Sequence, residues 1–134
     1  TQGFKSYALA RMHTDKKTFL VDYIYDYAYH LTGQTGEADM TGTSYRLPNS
    51  WILDAVNMST KAGFQWIVTS PALDRGFTYN SEFNWDDSRF GKSVRRKVVA
   101  MDGSRAILAD TNNSTEDFES RVKADPFHVF GMRK

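Results

Sequence analysis

Between Gly3 and Gly33 the chain has no glycine and no proline, and its apolar residues recur at helical spacing. Leu20, Ile24, Tyr27 and Leu31 form one stripe, which Phe19 and Tyr23 widen. The pattern predicts an amphipathic helix over residues 14–31, with Asp15 as N-cap and Gly33 as stop. Residues 4–12 can extend it upstream into one helix about 43 Å long. A strand reading competes over 19–31. Val21, Tyr23, Tyr25, Tyr27, Tyr29 and Leu31 also alternate, and the tyrosines suit a strand. Ile24 and Ala28 spoil its polar face, while Leu20, Ala28 and Leu31 favour the helix.

Residues 33–49 gather Gly33, Gly36, Gly42 and Pro48 among several Thr and Ser, the composition of a loop. Asn49 or Ser50 then caps a second predicted helix through Ala62, stopped by Gly63. Beyond Gly63 the period changes to two. Phe64, Trp66 and Val68 alternate with Gln65, Ile67 and Thr69 until Pro71. After the turn residues Asp74-Arg75-Gly76, a second strand carries Phe77, Tyr79, Phe83 and Trp85. A polar loop over 86–93 leads to a third strand, 94–101. Asp102-Gly103 predicts a tight hairpin into a fourth strand, 105–109. Residues 111–115 look like a cap for a short last helix, 116–123, ended by Pro126. The tail, residues 127–130, is apolar enough to pack back. This order predicts an α+β fold: an N-terminal helix and a second helix on an antiparallel meander of about four strands, with a short C-terminal helix.

Composition fits that outline without narrowing it. The 134 residues, 40% hydrophobic and 25% charged, read as a single domain, 1–134, of ordinary globular type. Seventeen basic and sixteen acidic residues leave a net charge of +1, which argues against a general polyanion binder. Cysteine is absent, which excludes disulfides and thiolate chemistry. No apolar run reaches the ~20 residues that span a bilayer. The chain starts on Thr1, so a processed N-terminus is expected.

Candidate chemistry is sparse. Asp22, Asp26 and His30 stand at i, i+4 and i+8, the one stripe with metal-ligand types. A solvated helix face explains it as well, so no metal and no cofactor are assigned. Gly91-Lys92-Ser93 lacks the first glycine of a phosphate loop, because Asp86 occupies that place. No nucleophile motif occurs. Arg89, Lys92, Arg95, Arg96 and Lys97 lie within nine residues, next to the aromatic strands. Arg89, Lys92, Arg95 and Lys97 are therefore candidates for single-stranded nucleic-acid binding, with bases stacking on rings and cations following phosphates. The same rings are also natural core. Tyr25 and Tyr29 fall outside the stripe of the predicted helix and are candidate interface residues.

The expected function is that of a non-catalytic structural or assembly subunit acting through self-association or a partner protein. A helix on an antiparallel meander is the general outline of pilin-like and some virion proteins. An extracellular, periplasmic or virion location is favoured over a cytoplasmic one. The alternative is a single-stranded nucleic-acid-binding domain.

Overall fold

The computed structural model describes residues 5–33, 36–66 and 70–128. The chain divides into two compact units, one of residues 1–9 and 54–134, the other of residues 10–53. Both are built mainly of strands, which form four small sheets among the described residues. The expected long helix on a meander is therefore not the fold. Helix is confined to α1 (Lys16–Asp22), α2 (Ser114–Asp117) and short 3-10 turns among the described residues.

In the smaller unit, α1 starts where the sequence places its cap. The Asp15 carboxylate accepts from the backbone N–H of Lys17 and Thr18. The helix then ends at Asp22, eleven residues before the expected stop at Gly33. Residues 24–33 take up the competing strand period as β2 (Ile24–Gly33). They pair in unbroken antiparallel register with β3 (Gly36–Tyr45), the stretch expected to be loop. Thr41, Thr43 and Tyr45 give β3 its strand propensity, which its glycines conceal. Phe19 stacks on Tyr23 and Tyr45 at 5.3 and 5.6 Å between ring centres, and Tyr23 meets Trp51 at 5.0 Å. This cluster joins α1 to the base of the hairpin.

The larger unit holds a three-stranded sheet, β1-β4-β5, made of β1 (Lys5–Ala10), β4 (Ile52–Ser59) and β5 (Thr78–Tyr79). β6 (Lys92–Arg96) pairs antiparallel with β9 (Phe118–Lys123), and β7 (Val98–Asp102) with β8 (Arg105–Leu108). The predicted Asp102-Gly103 hairpin is present, with Gly103 at φ +58°. The second predicted helix gives way to a 3-10 turn, Asn49–Trp51, and β4. Along β4, Ala55, Asn57 and Ser59 are buried at alternate positions, an inward face with no large apolar side chain. Of the last predicted helix, 116–123, only Glu116 and Asp117 are helical, at the end of α2 (Ser114–Asp117). Arg121 at φ +58° lies outside helical geometry, and 118–123 form β9 instead. The strand expected over 94–101 is divided by Lys97 into β6 and β7. Of the strand expected at 77–85, only β5 forms; Trp85 sits in a loop at φ +68°. Phe4, Ile67, Val68, Thr69 and residues 129–130 of the tail lie outside the described residues.

The expected aromatic core is also replaced. Among the described residues, the buried apolar side chains are Ala55 and Ala109 alone, whereas nine buried residues are polar. Asp74 gathers two of them, Asn57 and Ser114. Its carboxylate accepts from the N–H of Asn57, Gly76 and Ser114 and from the Ser114 hydroxyl, at 2.6–3.0 Å. Asn57 in turn donates to the Gly76 carbonyl at 3.1 Å and accepts from the Ser6 hydroxyl. Burying a carboxylate is costly unless its oxygens are saturated, and here they are.

Candidate functional site

The β2–β3 ribbon concentrates the exposed aromatic surface of the smaller unit. Alternation places Tyr25, Tyr27, Tyr29 and Leu31 on one face of β2, and Asp26, Ala28 and His30 on the other. The tyrosine rings follow one another at 6.0 and 5.9 Å between centres. They are 36, 42 and 45% exposed, and no residue of this unit is buried among those described. Tyr27 lies opposite Gly42, with its ring over the space a side chain there would fill. The Arg46 guanidinium lies 4.7 Å from the centre of the Tyr25 ring, a cation–π contact closing the row at its base. Asp22, Tyr25 and Arg46 also line a cleft of about 330 Å³ beside the hairpin.

On the opposite face, His30 Nδ1 lies 2.9 Å from Asp39 and Nε2 lies 3.5 Å from Glu37. Asp26 accepts from the Thr43 hydroxyl at 3.1 Å. The stripe of Asp22, Asp26 and His30 is thus broken. Asp22 ends the helix, while the other two sit on β2 with separate cross-strand partners. Among the described residues, no group of three or more His, Asp or Glu side chains is placed to hold a metal ion.

The basic cluster is mostly engaged. Arg95 donates through Nε and Nη2 to one Glu119 oxygen at 2.9 and 2.7 Å, and lies 3.1 Å from His128. Lys97 donates to the Glu116 carbonyl at 2.5 Å. Arg96 is paired with Asp54 at 2.6 Å and lies over the Phe118 ring. Arg89 lies over Phe90, at 5.0 Å. Lys92 forms no ion pair among the described residues. The expected aromatic rows are likewise self-occupied: Phe64 stacks on Phe77 at 4.1 Å, and its edge meets Trp66.

Carboxylates of the larger unit show where its electrostatics concentrate. Ser88 and the Glu82 N–H, with Arg121, hold Asp86 below the usual carboxylate range. Arg121 and Lys61 do the same for Glu82. Burial works against Asp117, yet the Thr111 N–H and hydroxyl, the Asn113 N–H and Arg96 still lower it. These groups brace loops around α2 and the segment 82–90.

Two members of the tyrosine row, Tyr25 and Tyr29, are the interface candidates that the sequence offers. Tyr27 was assigned to the core stripe of a helix, and its place in the row follows only from the strand period. No helix of the described residues is long and apolar enough to cross a membrane. No curated protein and no solved structure matches the chain. A family model does match, over residues 1–125, and the chain belongs to that family, described as "Protein of unknown function (DUF4876)".

Proposed function

We propose that the chain is a non-catalytic assembly subunit, working by protein–protein contact through the tyrosine face and open edge of the β2–β3 ribbon. The observation that carries this reading is the row Tyr25, Tyr27, Tyr29 on a ribbon that buries no residue. A free two-stranded ribbon is marginal in water, and one more covered face or paired edge stabilises it. Tyrosine offers a large ring and a hydroxyl at low entropic cost, the residue type enriched at interface centres. A virion or a surface filament is the setting that such a subunit fits.

The nucleic-acid reading has less support. Arg95 and Lys97 already have internal acceptors, and the rings expected to stack on bases stack on each other.

Sedimentation velocity over a range of concentrations tests the proposal. The wild-type chain is expected to self-associate, and the triple variant Tyr25→Ser, Tyr27→Ser, Tyr29→Ser to remain monomeric with an unchanged far-UV spectrum. A wild-type chain that stays monomeric at the highest concentrations counts against it.

A further inference from the structure

We infer that two copies of the chain join through their β2 edges, antiparallel and centred on Ala28, into one four-stranded sheet. This rests on the assembly reading above and adds the edge, the register and the occupant, a second copy of this chain.

The exposed edge can be read from one hydrogen bond. The Arg46 N–H donates to the Tyr23 carbonyl at 2.8 Å, in the same register that pairs Ile24 with Tyr45 and Gly33 with Gly36. Pairs in an antiparallel ladder alternate between exchanging both backbone bonds and exchanging none. Tyr23 and every second residue after it therefore bond to β3. Ile24, Asp26, Ala28, His30 and Thr32 point their N–H and C=O groups away from β3, and among the described residues β2 has no second neighbour in its sheet.

The two edges of the ribbon differ in what guards them. Sheets protect edges with charge, proline or bulges. On β3 the outward-facing set includes Glu37 and Asp39, two carboxylates two residues apart. On β2 it holds one carboxylate and one imidazole, without proline, lysine or bulge. The β2 edge is the less protected one.

Self-complementarity then selects the register. Centred on Ala28, Asp26 falls opposite His30 of the partner subunit, and the two-fold axis makes that pairing twice. Tyr27 falls opposite Tyr29 of the partner subunit, and Tyr25 opposite Leu31 of the partner subunit. Aromatic and acid–base pairs directly opposite are the stabilising kind in a sheet. Moving the centre to Tyr27 sets Asp26 against alanine, and moving it to Tyr29 sets His30 against alanine. A two-fold axis normal to the sheet keeps both tyrosine rows on one face, so the row becomes a band across both copies.

The absence of cysteine makes the test clean. Residues opposite each other in a hydrogen-bonded pair have Cα atoms about 5.5 Å apart, within disulfide reach. Ala28→Cys is expected to form a covalent dimer under mild oxidation. Asp26→Cys and His30→Cys are each expected to stay uncross-linked, because equivalent positions lie about 14 Å apart. Mixed, they are expected to give a disulfide heterodimer that keeps one Asp26–His30 pair intact. Thr41→Cys on the β3 edge is expected to stay uncross-linked. All four positions are exposed, so each variant is expected to fold, with an unchanged far-UV spectrum as the check. A dimer by light scattering with Ala28→Cys uncross-linked, or with Thr41→Cys cross-linked, overturns the edge and register but leaves the assembly reading standing. A monomer at every concentration with no cross-link removes both.

Discussion

The larger unit and the β2–β3 ribbon handle polarity in opposite ways. The larger unit buries polar side chains and saturates two of their carboxylates: Asp74 takes four donors, and Asp117 takes the Thr111 N–H and hydroxyl and the Asn113 N–H. The ribbon leaves tyrosines, Leu31 and Met40 in water, between 36 and 52% exposed. A carboxylate knot needs nothing from outside, since its partners are all internal. A bare aromatic face on a two-stranded ribbon lacks the cover that apolar area gains from burial. The first arrangement is structural in purpose, and the second points outward.

The sharpest way to break this comparison is to remove the centre of the knot. Asp74→Ala deletes the acceptor for three backbone N–H groups that remain buried. Each orphaned donor costs about 1–3 kcal/mol, so a loss of at least ~3 kcal/mol is expected. Urea denaturation followed by tryptophan fluorescence measures it. A loss under ~1 kcal/mol means that water or backbone movement replaces the carboxylate, and the knot is then not what holds this unit together.

Gly76→Ala tests the same knot by crowding. A Cβ at Gly76 meets Asn113 Oδ1 at 2.1 Å, Thr115 Oγ1 at 2.6 Å and the Thr115 backbone nitrogen at 2.7 Å. The nitrogen belongs to α2 and cannot swing aside as a side chain can. A destabilisation of about 1–3 kcal/mol is expected by the same denaturation assay.

Acid separates the larger unit from the ribbon by a milder route. Asp86, Glu82 and Asp117 all titrate below the ordinary carboxylate range when folded. A group depressed in the native state binds fewer protons there than when unfolded, so stability rises with pH across that interval. Their contribution is complete above about pH 5 and is lost as pH falls through their folded values, below the usual range near 4. Urea midpoints between about pH 6 and pH 3 are expected to fall on the acid side. Glu82→Gln, which removes one such group, should flatten that fall.

How much of this could be read from the chain follows from the same contrast. Local chemistry was legible where one residue decides an outcome: Asp15 caps α1, and Asp102-Gly103 turns β7 into β8. The fold was not, because the usual signal for it, a large apolar stripe, is missing from the core. Ala55, Asn57 and Ser59 alternate on β4, but a pattern built on hydrophobicity reads them as a helix surface. Across α1 and β2, Leu20, Ile24, Tyr27 and Leu31 satisfy a helical period while the tyrosines satisfy a period of two, and the letters favour the helix because Ile24 and Ala28 spoil the polar face of the strand. The cross-strand partner decides between them, and β3 was hidden by Gly36, Gly42 and its Thr residues. Tyr25 and Tyr29 were found as interface candidates because they fell outside the helical stripe; Tyr27 was lost because it fell inside.

The smallest expected effect on stability is the most informative about function. Gly42→Ala makes the same chemical change as Gly76→Ala, but its Cβ meets only the far end of the Tyr27 ring, with Cζ and Oη both at 2.7 Å. A ring tip on a half-exposed side chain moves aside at little cost, so the denaturation midpoint should shift by less than ~1 kcal/mol. The displaced ring, however, leaves the row that Tyr25 and Tyr29 continue. If that row is the contact surface, self-association measured by sedimentation should weaken in Gly42→Ala while stability holds. Gly76→Ala should do the reverse, losing stability while the folded fraction keeps its association constant. Equal effects of the two alanines on both readouts would erase the distinction between a region built to hold itself and one built to hold a partner.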